Sequence, residues 1–219
     1  MNLTFIGLDE RTPLNDAGVL SLTCEIGILY SESPKRRNRY PSLDFIAEAV
    51  LGLAMCAIHV CGRTARENLR SGKLEQILPH VQRIQINGSV SPPELASLCG
   101  LFHRHTIITQ DLSTNHDLRR VNCRNHAILV DNSGGRGLCP DHWERPFTPK
   151  AVGFAGGLGP DNVFAELDRG LASQKPEWID METKIRSADD WFDVDLCRKV
   201  RKQVEAYRIH CENVYFGVV

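Results

Sequence analysis

The chain repeats one pattern from end to end, a short apolar run followed by a stretch with helical periodicity. Eight such runs stand at 3–8, 25–30, 56–61, 83–87, 106–109, 127–131, 151–155 and 178–181. Short apolar runs that alternate with helices are typical of buried parallel strands in βα units. Eight βα units predict an α/β fold, a single (β/α)8 TIM barrel. The length of 219 residues suits one such domain over 1–219.

Helical patterns occupy most of the segments between the runs. We expect helices at 13–22, 42–54, 64–78, 92–102, 115–122, 161–172 and 193–208, with Ser42 and Ser91 as N-caps and Asp161 opening the sixth. Residues 132–149 show neither pattern and predict a long loop. In a barrel of this kind the loops after the strands build the active site, so candidate functional residues are sought there.

Composition excludes several classes of protein. With 26 Lys and Arg against 27 Asp and Glu, the chain has no basic surplus for nucleic acid or a membrane surface. No apolar run is long enough to span a bilayer and no secretory leader is visible, which predicts a cytoplasmic protein. None of the eight cysteines has C-x-x-C or zinc-finger spacing, so we expect reduced thiols and no metal.

The segment 153–163, with the sequence GFAGGLGPDNV, is the strongest candidate for a binding loop. Gly156 and Gly157 let a ligand approach the backbone and leave amides for an anion, and the following Pro-Asp-Asn opens a helix. This is typical of a phosphate site after a late barrel strand. Tight turns without a ligand use the same residues, so both interpretations stand.

A carboxylate ends the sixth apolar run. Asp131 is followed at once by a glycine-rich loop that contains Gly134 and Gly135. A carboxylate at the end of a strand is suited to proton transfer on a substrate whose anionic part the loop holds. The alternative is that Asp131 caps loop amides.

Two further loops carry charge. Residues 35–39 form the densest basic cluster, in which Arg36 or Arg39 can present a guanidinium fork to a substrate carboxylate, or both can remain solvated. After the eighth run, Thr183 and Lys184 can complete the anion site of the glycine loop, since loops seven and eight are neighbours in a closed barrel. A salt-bridged rim is the alternative there.

These motifs, in this order, resemble the phosphoribosylanthranilate isomerase family over nearly the whole chain. The strand-seven motif of that family stands as AGGL at 155–158 and PDNV at 160–163. Its strand-six motif stands as LVD at 129–131, a glycine-rich loop and Trp143, and its strand-four motif as IQING at 84–88 with SPPE at 91–94. The loop after strand two matches from both sides but is longer here, so the carboxylate-binding arginine is either Arg36 or Arg39.

The resemblance implies a cofactor-free Amadori rearrangement in tryptophan biosynthesis, in which a phosphorylated aminoaldose becomes an aminoketose. It implies that Asp131 is the general acid and that Gln85, Asn87 and Asp180 belong to the substrate site with the phosphate-binding glycines. It also implies a monomer or a homodimer that acts on a small sugar phosphate.

The match fails at the general base. The cysteine that the family has at the end of strand one is replaced by Ile6, which cannot accept a proton. Asp9 and Cys61 are the nearest candidates to take its place. Three hypotheses remain: an isomerase of this kind with a relocated base, a phosphate-binding barrel with other sugar-phosphate chemistry, and a non-catalytic ligand-binding or regulatory barrel.

Overall fold

The computed structural model describes residues 1–33, 37–131, 133 and 137–216. Eight parallel strands close into a barrel in chain order, because β1 pairs with both β2 and β8. The strands are β1 (Asn2–Ile6), β2 (Glu25–Tyr30), β3 (Cys56–Cys61), β4 (Arg83–Asn87), β5 (Thr106–Gln110), β6 (His126–Asp131), β7 (Val152–Ala155) and β8 (Trp178–Met181). The predicted (β/α)8 fold is therefore confirmed.

Helices cover the outside of the barrel. They are α1 (Leu14–Ser21), α2 (Leu43–Leu51), α3 (Arg63–Arg70), α4 (Pro92–Leu101), α5 (Val163–Glu166) and α6 (Val194–Phe216). Ser42 and Ser91 are N-caps, as predicted: their hydroxyls accept hydrogen bonds from the Phe45 and Glu94 amides at 3.3 Å.

Several predicted boundaries were wrong. The helix predicted over 64–78 ends at Arg70, because Gly72 takes a φ of +85° and breaks the helical path. The segment predicted as a helix at 115–122 is a 3-10 helix over Ser113–Arg120, and the last helix continues eight residues beyond its predicted end at 208, to Phe216. The first strand stops at Ile6 rather than residue 8, since Gly7 has a φ of +105°.

The helix after β7 also begins later than predicted. Asn162, not Asp161, occupies the position before it, and its side chain bonds the loop: Oδ1 accepts from the Gly159 amide at 2.8 Å, and Nδ2 donates to the Gly157 carbonyl at 2.9 Å. Only the four residues Val163–Glu166 then form α helix before a π-helical turn. The glycine loop is thus fixed by an asparagine side chain rather than by a long helix.

Polar side chains are buried inside the barrel beside apolar ones. Arg83 donates from Nε to both Glu25 carboxylate oxygens, at 2.8 and 2.7 Å, and its guanidinium lies 4.6 Å from the centre of the Trp178 ring. The apolar core lies mainly between strands and helices, where side chains such as Phe5 and Phe154 are fully buried. A second, smaller apolar cluster of strand residues lies apart from this core and consists of Ile108, Ala127, Leu129 and Trp178.

All eight cysteines are free thiols. Among the residues that the structure describes, no helix is both long and apolar enough to pass through a membrane.

Candidate active site

A cavity of about 130 Å³ opens at the C-terminal ends of the strands. Every strand except β2 contributes to its lining, together with the loops that follow β6, β7 and β8. This is the end of the barrel at which side chains from separate strands converge. The cavity brings together most of the residues that the sequence indicated, namely Gln85, Asn87, Asp131, Gly156, Gly157, Asp180, Thr183 and Lys184.

Asp131 lies on one wall of the cavity at the end of β6. Its Oδ1 accepts hydrogen bonds from the amide and the hydroxyl of Ser133, at 3.0 and 2.8 Å. Within the described part of the chain its Oδ2 receives only a long contact of 3.5 Å from Gln110 Nε2. One oxygen is thus held by the loop, as the capping interpretation requires, while the other is left for a ligand.

The neighbouring wall has the character of an anion site. Gly156 and Gly157 have φ values of +131° and +60°, and their amides donate no hydrogen bond to any other described residue. Thr183 and Lys184 lie beside them in the loop after β8, where Lys184 makes no ion pair within the described part of the chain. Free amides, a hydroxyl and an ammonium group are the donors that a phosphate requires.

The glycines in this wall also satisfy a packing requirement. A Cβ on Gly157 would meet the Cys139 amide nitrogen at 2.5 Å and the Gly137 carbonyl oxygen at 2.8 Å, and one on Gly159 would meet Lys184 Cβ at 2.4 Å. The loops after β6 and β7 are therefore packed backbone to backbone, and the Lys184 side chain of the loop after β8 packs against Gly159. The turn-forming and ligand-binding interpretations of the glycines are compatible.

The floor of the cavity consists of buried polar side chains. Five buried polar atoms here have no hydrogen-bond partner among the described residues. They are both ring nitrogens of His59, both carboxyl oxygens of Asp180 and the amide oxygen of Gln85. Burial raises the pKa of Asp180 to about 7, and Glu25 and Asp131 act in the same direction while Arg83 opposes them. Burial and the charge of Arg83 lower the pKa of His59 to about 3. Buried polar groups without partners are costly unless water or a ligand binds them.

Asn87 and Cys61 contact each other at the ends of β4 and β3. Asn87 donates from Nδ2 to Cys61 Sγ at 3.2 Å and accepts from Gln85 Nε2 at 2.9 Å. Burial raises the pKa of the Cys61 thiol to about 12, and the thiol does not line the cavity. Cys61 is thus poorly placed to act as a base.

Asp9 is not placed at the cavity either. Its Oδ2 accepts from Arg186 Nη2 at 3.0 Å and from the Phe192 amide at 2.6 Å, and its side chain is 1% exposed. Arg186 also donates to the Gly7 carbonyl at 2.9 Å. The Asp9 carboxylate thus joins the loop after β1 to the loop after β8. Its role in this structure is to stabilise the two loops.

Arg39 is engaged in ion pairs. Its Nη1 lies 2.6 Å from Glu182 Oε1 and its Nη2 lies 2.6 Å from Asp190 Oδ1. Burial opposes ionisation of Asp190, but hydrogen bonds from Arg39 and Asn38 lower its pKa to about 2. The Arg39 guanidinium, one of the two candidates predicted to bind a substrate carboxylate, is therefore already bound to two carboxylates of the protein. Arg36, Gly134 and Gly135 lie outside the described residues.

The lining also contains residues that were not among the predicted site residues, and two of them, His59 and Glu182, carry ionisable side chains. His59 is two residues before Cys61 on β3, and residues two apart share a face of a strand, so the alternation contained a signal for it. Glu182 follows β8 beside the end of β1. It is also two residues after Asp180, so the same alternation contained a signal for it.

Comparison with solved structures supports the architecture. The structure resembles phosphoribosyl anthranilate isomerase from Thermus thermophilus, with a TM-score of 0.67 and 20% identity over 94% of this chain and 99% of that one. It also resembles the enzyme of that name from Thermotoga maritima, with a TM-score of 0.64 and 18% identity over 94% and 99% of the two chains. A further isomerase structure, in complex with reduced 1-(o-carboxyphenylamino)-1-deoxyribulose 5-phosphate, has a TM-score of 0.63 and 17% identity, again over 94% and 99%. At these identities the likeness establishes a shared fold.

No protein-family model matches the sequence, and no curated protein matches it.

Proposed function

We propose that this chain is a phosphoribosylanthranilate isomerase-like enzyme, which carries out a cofactor-free Amadori isomerisation of a phosphorylated sugar derivative. The observation that carries the proposal is one cavity that Asp131 lines together with Gly156 and Gly157, whose amides donate to no described residue, and with Thr183 and Lys184. A proton donor beside an anion site is what an isomerase of sugar phosphates requires. The structural neighbours, one of them bound to a phosphorylated aminoketose analogue, agree with this substrate class.

The roles of the residues follow from this arrangement. Lys184, Thr183 and the two glycine amides bind the phosphate, and Asp131 gives a proton to the ring oxygen as general acid. Asp180, Gln85 and Asn87 lie on the cavity floor and hydrogen-bond the hydroxyl groups of the sugar. The partner is a small sugar phosphate, and the proposed setting is tryptophan biosynthesis in the cytoplasm by a monomer or a homodimer.

The test is turnover of phosphoribosylanthranilate by the purified protein, together with growth of a tryptophan auxotroph that lacks the isomerase. We expect both activities, and we expect Asp131→Asn to lower kcat by about 10²–10⁴. Asp189→Asn removes an exposed carboxylate outside the cavity and is the matched control. Absence of turnover and of growth in the unmodified chain would exclude this function.

One observation favours a second candidate, a barrel that binds a sugar phosphate without converting it. Ile6, an apolar side chain that is 5% exposed, lines the cavity at the end of β1 and supplies no proton acceptor there. Thermal stabilisation by ribose 5-phosphate without any turnover, lost in Lys184→Ala, would support this function instead.

A further inference from the structure

The end of β1 and the end of β8 lie side by side at the cavity. Phe5 pairs with Met181 in the parallel register, so the next residues along the two strands, Ile6 and Glu182, are neighbours. Both line the cavity, and Glu182 Cγ lies 3.9 Å from the position that a Cβ on Gly7 would occupy. A carboxylate is therefore present next to the apolar side chain that ends β1.

Glu182 is the accessible member of the carboxylates near this strand end. Its side chain is 31% exposed, whereas those of Asp180 and Asp9 are 1% exposed. Its Oε1 accepts from Arg39 Nη1 at 2.6 Å, while Oε2 has no hydrogen bond to any residue in the described ranges. Arg39 is itself held by three hydrogen bonds to Asp190, so the direction of the Glu182 carboxylate is fixed from outside the cavity.

Glu182 and Asp131 also approach the cavity from different strands. In the barrel register Asp131 lies beside Ala155 and Ala155 beside Asp180, which puts two strand spacings, about 10 Å, between β6 and β8. Glu182 follows two residues after Asp180. A sugar held in the cavity can thus have an acid on one side and a base on the other.

We propose that Glu182 is the general base of the isomerisation, acting from β8 in place of a residue on β1. The inference rests on the proposed function, because it assigns a role within that reaction. Asp9 and Cys61 were the earlier candidates for the base, but the Asp9 carboxylate and the Cys61 thiol do not line the cavity.

Protons and electrons balance without a cofactor. The Asp131 carboxyl gives its proton to the ring oxygen while the C1–O bond breaks and the nitrogen lone pair forms C1=N. The Glu182 carboxylate then takes the proton from C2, the C–H pair forms C1=C2, and the nitrogen recovers its lone pair. Glu182 returns that proton to C1, and the C2 hydroxyl gives its proton to Asp131 as it becomes the ketone. C1 is reduced, C2 is oxidised, and both carboxyl groups regain their starting states.

The decisive variant is Glu182→Gln, which keeps the shape and removes the proton acceptor. We expect kcat on phosphoribosylanthranilate to fall by about 10²–10⁴ with KM little changed, and the low-pH limb of the kcat profile to disappear. Adding Ile6→Cys to this variant supplies a thiol on β1 and is expected to restore part of kcat. Glu32→Gln is the matched control, since Glu32 lies in the loop after β2 in an ion pair with Lys73 and does not line the cavity.

The outcomes separate this inference from the function on which it rests. An active unmodified chain whose Glu182→Gln variant keeps kcat within about threefold of Glu32→Gln would overturn the base assignment alone. A raised KM with no rescue by Ile6→Cys would assign Glu182 to binding and likewise overturn it. If the unmodified chain does not turn over phosphoribosylanthranilate, both the proposed function and the assignment of Glu182 as its base are wrong. Circular dichroism and thermal unfolding of each variant show whether the fold is kept.

Discussion

Replacing Asp180 by asparagine is expected to change how the stability of this protein depends on pH. Asp180 is 2% exposed, its carboxyl oxygens have no hydrogen-bond partner among the described residues, and burial raises its pKa from 3.8 to about 7. The substitution keeps the shape of the side chain but removes the group that ionises. It therefore isolates the cost of burying this charge, which the Arg83 guanidinium 3.9 Å away offsets only in part.

The magnitude follows from the shift in pKa. Between about pH 4 and pH 7 the folded protein keeps the proton of Asp180 while the unfolded chain loses it, so the free energy of unfolding falls as the pH rises. The difference between a pKa of 3.8 in the unfolded chain and about 7 in the folded protein corresponds to about 4 kcal/mol. The stability of Asp180→Asn minus that of the unmodified chain should thus increase by up to about 4 kcal/mol from about pH 4 to about pH 8.

Urea unfolding followed by tryptophan fluorescence, at several pH values, measures this difference. The buried histidines His59 and His126, whose pKa values burial lowers to about 3, also change stability with pH. Both histidines are present in the variant and in the unmodified chain. Their contributions to the free energy of unfolding therefore largely cancel when the two stabilities are subtracted. A difference that stays flat within about 1 kcal/mol over this range would refute the reasoning, since Asp180 would then be ionised in the fold at no cost.

Two further substitutions test the packing around the site. Gly157→Ala should destabilise the fold by about 1–3 kcal/mol or more, because its φ of +60° is strained for alanine and a Cβ would collide with backbone 2.5 Å away. Gly100→Ala in α4, where a Cβ meets nothing within 4 Å, should instead stabilise by about 0.5 kcal/mol, and equal effects in urea unfolding would contradict this account. Arg186→Met should cost about 3–5 kcal/mol by leaving Asp9 buried and unpaired, and adding Asp9→Asn should recover much of that loss; no recovery would argue against the ion pair as the cause.

Much of the fold was predictable from local pattern. The eight runs predicted the eight strands with errors of at most two residues at each end, because each strand keeps buried apolar residues on one face even where, as in β4, the other face is polar. Ser42 and Ser91 marked helix starts through a bond that forms within three residues. Errors occurred where a single backbone angle decides a boundary, as at Gly7 and Gly72, since sequence does not reveal the sign of φ at a glycine.

The candidate site was predictable only in part. Asp131, Gly156 and Gly157 follow directly from their places at strand ends, and the structure places all three in one cavity. The partners of Asp9, Arg39 and Arg186 could not be predicted, because their ion pairs join loops more than 100 residues apart in the chain.

The sequence by itself determined the barrel and the end of it that holds the cavity, since both depend on periodicity and on strand order. Only the tertiary structure decided which charged groups are free to act there. Asp9 is buried in an ion pair with Arg186, whereas Glu182 lines the cavity and its ion pair with Arg39 engages only Oε1 within the described part of the chain. The physical reason is that a charged side chain is neutralised only when the closed barrel places an oppositely charged side chain beside it. That second side chain comes from a distant part of the chain.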